Sequence, residues 1–169
     1  LCLVQICFGD NIAHLLQLSK QPEKKPKNLI KLLQDKTINK IFHYGRFDLA
    51  MLNKNIGPVD GPIYCTKIAS KLSRTFGAKH GLKDLCKDLL NIELDKFNQT
   101  SDWGTKILSK DQLAYAAQDV LFLHKLKIKL DEILLREGKM NLALECFESL
   151  KTRVKLDLEG FQELDIFAH

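Results

Sequence analysis

Between Ser109 and Gly138 the apolar residues Leu113, Ala117, Val120, Leu121, Leu126, Leu130, Ile133 and Leu134 recur close to every 3.6 positions. That spacing predicts one helix, the longest in the chain, with Ser109 as its N-cap and Gly138 as its stop. Upstream the pattern changes. Leu1 to Phe8 is β-favouring and is closed by Gly9-Asp10-Asn11, after which Ile12 to Leu18 is a candidate return strand, so a hairpin is expected. Pro22 to Pro26 breaks the chain with a lysine-rich loop, and Asn28 is a candidate N-cap for a helix through Leu33.

Ile38 to His43 reads as a strand ended by Gly45, and Arg46 to Asn53 as a short helix that stops before Gly57-Pro58. Ile63 to Cys65 is another short strand, with Thr66 placed to cap a helix over 67–72. A further helix runs from Gly81 to Asn91 with Leu82, Leu85, Leu89 and Leu90 on one side. A last one is expected from about Met140 to Leu150. Strands interleaved with helices point to a three-layer α/β architecture, with no internal repeat or low-complexity tract.

With 169 residues, 45% of them hydrophobic, the chain can bury one sizeable core, and a single domain over 1–169 is expected. No apolar stretch reaches the length of a membrane span and no secretory leader is visible, so the cytoplasm is the expected location. Cys2, Cys7, Cys65, Cys86 and Cys146 are odd in number and lack zinc-ligand spacing, which suits reduced thiols. A net charge of +5 leans toward polyanions but equally describes a surface balanced for solubility. Lys67, Lys71 and Arg74 recur at near-helical spacing, as do Lys79, Lys83 and Lys87, so each set can line one face toward phosphates. Neither GxxxxGK[ST] nor GxGxxG follows any strand, which argues against a P-loop or dinucleotide-binding protein.

Chemistry concentrates in two segments. In Tyr115-Ala-Ala-Gln-Asp119, residues four apart share a helix face, so a phenol lies beside a carboxylate. By itself the pattern also describes an amphipathic helix whose Tyr snorkels and whose Asp faces water. In Ile41-Phe-His-Tyr-Gly-Arg-Phe-Asp48 a carboxylate follows a strand's carboxyl end, where open α/β sheets carry their sites. Asp48 alone can also be a helix N-terminal acid answering the macrodipole.

HYGRFD, then HGLKDL at 80–85, SDW at 101–103 and YAAQD occur in the order and rough spacing of ribonuclease D-like DEDDy 3′-5′ exonucleases. CTKIASKLSRT, SDW, YAAQDVLFLHKLK and the closing LDLEGFQELDIFAH resemble more closely the compact nano-RNase C type, which degrades very short RNAs. The resemblance implies a ribonuclease H-like exonuclease fold, a mixed sheet flanked by helices, and hydrolysis of terminal phosphodiester bonds of short RNA by two divalent cations, Mg²⁺ or Mn²⁺. It implies Asp48 and Asp119 as metal-binding carboxylates and Tyr115 as the phenol that positions or deprotonates the attacking water. His43, Tyr44, His80 and Lys83 become candidate contacts to substrate, although a histidine at an element's end is often only a local hydrogen-bonding group. Trp103 is expected to pack or anchor its turn, and His124 to be structural. A homo-oligomer, an octameric ring, is implied as the assembly.

One part of the pattern is missing. The family's first acidic motif, an Asp-x-Glu on a central strand, is not found before Leu1 to Phe8. The nearest formal match, Asp157-Leu-Glu159, is expected to be surface decoration. The domain is therefore expected to be truncated at its N-terminus and its sheet to lack the first, central strand. Activity of the chain stands open against an alternative, a degenerate module that binds nucleic acid or assembles without cleaving.

Overall fold

Leu3–Cys7 (β1) pairs antiparallel with Ala13–Gln17 (β2), Leu3 opposite Gln17 and Cys7 opposite Ala13. The turn between them uses Gly9 at φ +87° and Asn11 at φ +62°, and Asp10 Oδ1 accepts the Ile12 N–H at 3.0 Å. The computed structural model describes residues 1–18, 26–77, 79–94 and 101–168. Of the expected lysine-rich break at 22–26, only Pro26 falls among them. Lys27–Gln34 (α1) starts directly after it, so Asn28 lies inside the first turn and Pro26 occupies the cap position.

Lys40–Phe42 (β3), shorter than the strand expected over 38–43, leads into Gly45–Asn55 (α2), and Ile63–Cys65 (β4) returns parallel to β3 with Lys40 opposite Ile63. Thr66–Ser73 (α3) follows without a break. Thr66 is its first residue and not its cap, because the hydroxyl is spent elsewhere, on the Phe42 carbonyl at 3.2 Å. Leu82–Leu90 (α4) ends at Asn91 in the left-handed region, φ +55°.

The single long helix expected over 109–138 is two: Lys110–Leu121 (α5) and Leu123–Arg136 (α6), divided at Phe122. The stripe was real, but its halves pack on different surfaces. α5 lies against the hairpin, whereas α6 packs on α3, α4, β3 and Met140–Leu158 (α7), burying Leu126, Leu130 and Leu134 completely. Three successive apolar residues, Leu121, Phe122 and Leu123, cannot share one helical face, and the break lets each half turn its own stripe inward.

α7 runs eight residues beyond the expected end near Leu150, since Val154 and Asp157 continue its buried side. Asp157 is therefore not surface decoration: it is only 7% exposed and is paired with Arg46 and Arg153.

The strands form two separate pairs, β1–β2 and β3–β4, and β1 is not hydrogen-bonded to β3. Between them runs an apolar cavity of about 240 Å³, walled by Val4 and Ile6 on one side and Ile41 and Phe42 on the other. This is an α/β fold whose strands form one antiparallel and one parallel pair. Cys65 and Cys86 are buried and all five cysteines are free thiols.

Candidate functional site

The turn after β3 fixes the first half of the site. Tyr44 stands at φ +62° as the N-cap of α2, and Gly45 follows so closely on Phe42 that a Cβ there would lie 3.0 Å from the Phe42 Cβ. Any larger residue there would have to push Phe42 aside by a few tenths of an ångström. The turn brings Asp48 into the first turn of α2, where the helix dipole favours an anion. Burial nevertheless pushes the Asp48 carboxyl up to about 6, and the charge of Asp119 adds to the rise.

α5 supplies the second half. Ser109 caps it with a reciprocal pair of bonds, its hydroxyl accepting the Gln112 N–H at 3.2 Å while Gln112 Oε1 accepts the Ser109 N–H at 2.9 Å. Tyr115 and Asp119 then project from one face. Crowding by the surrounding walls pushes Asp119 up to about 6, although this residue keeps an open side to solvent and Asp48 is the more enclosed of the two. The Tyr115 phenol is raised above its ordinary value by burial and, secondarily, by Asp119, so near neutral pH it carries its proton.

These groups share one pocket of about 760 Å³, walled by the start of β1, the end of β3, α2 and α5. His43, Tyr44, Phe47, Asp48, Trp103, Tyr115 and Asp119 all line it. The pocket brings together carboxylates, a phenol and aromatic faces from segments more than seventy residues apart in sequence.

The tautomer of His43 follows from its partners. With the Thr66 hydroxyl donating to the Phe42 carbonyl at 3.2 Å, the 2.9 Å contact between His43 Nδ1 and Thr66 Oγ1 assigns the ring proton to Nδ1. Nε2 is then a bare acceptor. Burial, aided by Lys67, pushes the ring down to about 4, so it stays neutral near pH 7. Tyr44 is exposed on the pocket rim, with Lys67 Nζ 4.1 Å from its ring centroid.

The other two candidate contacts lie elsewhere. Neither His80 nor Lys83 lines the pocket; His80 Nδ1 is 2.9 Å from Ser70 Oγ of α3. The expected basic faces are also partly spent on structure, since Arg74 pairs with Asp88 and Lys87 with Glu93. The turn that carries Trp103 is tied by Asp102, which accepts the Gly104 N–H at 2.8 Å and, through its carbonyl, the Gln112 side chain at 3.1 Å. The Trp103 ring faces the pocket, 6.0 Å from that of Tyr115. His124 packs against Gly9 and lines the groove between the strand pairs, away from the carboxylates. Sequence reasoning missed Phe47, which is 60% exposed on the pocket wall; an aromatic beside Asp48 in a helical pattern reads as core.

The donor chemistry suits a hard divalent cation, since two carboxylates held above their ordinary range by burial, and Asp48 also by the charge of Asp119, are relieved by one. Among the described residues, no group of three or more His, Cys, Asp and Glu side chains forms a larger ligand set.

Residues 1–135 match a 3′-5′ exonuclease family. A ribonuclease D of Gluconacetobacter diazotrophicus is 33% identical over 141 residues, 83% of this chain and 35% of that protein. The chain thus spans about a third of the length of such curated relatives. The solved structure of Brucella melitensis NrnC superposes with a TM-score of 0.94 at 51% identity, covering 99% of this chain and 81% of that one. Related structures of that protein hold pGG and Mg²⁺. Escherichia coli RNase D superposes with a TM-score of 0.77 at 25% identity, over 90% of this chain and 40% of that one.

Proposed function

The chain belongs to the 3′-5′ exonuclease family, of the ribonuclease D-like and NrnC-type kind, and from that premise we propose that it is one exonuclease domain that hydrolyses terminal phosphodiester bonds of short RNA in the cytoplasm. The observation that carries this reading is the convergence of Asp48, Asp119 and Tyr115 on one aromatic-walled pocket. Asp48 and Asp119 would hold divalent cations, Mg²⁺ or Mn²⁺. Such cations, when bound, supply Lewis-acid charge for a phosphoryl group and its attacking water.

The chain's own residues do the rest. Tyr115, protonated near neutral pH, is suited to orienting the attacking water more than to deprotonating it. His43 Nε2 offers an acceptor to a sugar hydroxyl or base N–H, and Tyr44, Phe47 and Trp103 offer faces on which bases stack. His80 and Lys83 are then left to contact a phosphate outside the pocket. A homo-oligomeric ring is the assembly that the NrnC likeness supports.

A second reading, a module that binds nucleic acid without cleaving it, is favoured by the lack of a larger ligand cluster among the described residues. A cleavage time course on 5′-labelled dinucleotide and longer RNA with Mn²⁺, run beside a binding assay on the same RNAs, separates the two. Shortening from the 3′ end supports the enzyme, and binding without shortening supports the module.

A further inference from the structure

Asp48 faces the pocket, but what keeps it there lies behind α2. Residues two apart on a helix point to nearly opposite sides, so Arg46 projects away from the pocket while Asp48 projects into it. Arg46 reaches Asp157 near the end of α7, donating from Nε to Oδ2 at 2.6 Å and from Nη2 to Oδ1 at 2.8 Å, and donates again to the Gln162 carbonyl at 3.0 Å. A two-pronged guanidinium–carboxylate bond fixes orientation as well as distance. α7 also backs the preceding residue, with a Leu150 methyl 3.5 Å from where a Gly45 Cβ would stand.

We propose that Asp157 is a positioning residue of the site, holding the first turn of α2 from the rear through Arg46 and so fixing the direction in which Asp48 enters the pocket. α7 lies beyond the stretch, 1–135, that matches the exonuclease family, and within the part of the chain that the NrnC structure covers. Asp157 has a second attachment that separates anchoring from simple cohesion. Arg153 donates to Asp157 Oδ1 from Nε at 3.0 Å and Nη2 at 2.8 Å, and also holds the carbonyls of Phe161, Gln162 and Leu164. Arg153 thus ties Asp157 to the C-terminal tail, and Arg46 ties it to α2.

The test compares Asp157→Asn, Arg46→Gln and Arg153→Gln in the full chain, by amide hydrogen exchange in metal-free protein and by Mn²⁺ binding measured by electron paramagnetic resonance. Amides one turn into α2, whose carbonyl partners lie in its first turn, are expected to exchange at least about fivefold faster in Asp157→Asn and Arg46→Gln. Arg153→Gln is expected to speed exchange only in the tail. Mn²⁺ binding is expected to weaken several-fold in the first two variants alone. Unchanged α2 exchange in Asp157→Asn, or an Arg153→Gln pattern matching the other two, would overturn the anchor. The cation arm rests on the proposed role of Asp48: if Asp48→Asn leaves Mn²⁺ binding unchanged, that role fails while the exchange arm still decides the anchor.

Discussion

The two carboxylates of the pocket are presented by halves of the molecule built in different ways. Asp48 rides on a turn that the interior grips: β3 runs into it, Gly45 packs on Phe42 and Leu150, and Leu49 and Leu52 of the same helix are buried. Asp119 rides on α5, whose one fully buried residue is Ala116 and which rests mainly on the β1–β2 hairpin. α5 compensates locally, since it alone among the described helices has a side-chain cap, whereas α2 begins without one. Tertiary packing aims the first carboxylate; local hydrogen bonding and a hairpin aim the second. Disturbances of the core should therefore reach Asp48, and disturbances of one cap should reach only Asp119 and Tyr115.

Catalysis is where the difference in construction should vanish. Asp48→Asn and Asp119→Asn are each expected to lower Mg²⁺-dependent cleavage by about 10³-fold or more, because groups that act as a unit fail together. Single-turnover assays on 5′-labelled RNA, with circular dichroism to confirm the fold, give the comparison. A variant that cleaves within about threefold of the parent removes its residue from the site. Tyr115→Phe keeps the ring against Trp103 and removes only the hydroxyl, so kcat should fall about 10–100-fold with KM little changed. A rise confined to KM would make Tyr115 a binding residue.

How much of this was legible in the sequence follows the same division. The β3 half was readable as a strand, a glycine and an acid in succession, because the turn is set by local sterics. The Tyr115–Asp119 spacing was readable because helix periodicity alone puts the pair on one face. The break at Phe122 was not readable, since it depends on α5 and α6 packing against different partners. Asp157 was misread for a related reason: a carboxylate near a chain end looks solvated until a long-range partner is known, and Arg46 lies 111 residues away in sequence. His80 and Lys83, just before and within the first turn of α4, fell outside the pocket because motif order records neighbours along the chain and not which side chains turn toward a shared cavity.

Stability against pH separates the two carboxylates. A carboxyl raised to about 6 in the fold contributes fully below its ordinary value of 3.8 and loses that contribution as pH rises through 6. Asp48→Asn should therefore raise the metal-free Tm at pH 8 by about 4 °C, an effect on the order of 2 kcal/mol, and leave it nearly unchanged at pH 4. Asp119→Asn should follow the same course with a smaller rise, because its open side lets water offset part of the burial. His43, pushed down to about 4, pulls the other way, its contribution present above 6.5 and lost as pH falls toward 4; it is common to all three proteins and cancels in the differences. Equal shifts for the two variants, read by differential scanning calorimetry, would mean that the pocket encloses both acids alike. Added Mn²⁺ should raise the parent's Tm at pH 8 more than that of either variant.

The smallest expected effect is the most local. Ser109→Ala removes the hydroxyl that caps α5 and costs about 1 kcal/mol. Gln112 also bonds the Asp102 carbonyl, so losing its partner loosens the turn that holds Trp103 beside Tyr115. Amides in the first turns of α5 should exchange faster and the KM for short RNA should rise a few-fold, while α2 exchanges as in the parent. The outcome depends on whether α5 is held by its cap or by the hairpin beneath it. If exchange quickens equally in α2, the two halves are one cooperative unit and the carboxylates share a common support; if neither helix responds, the hairpin contact alone aims Asp119.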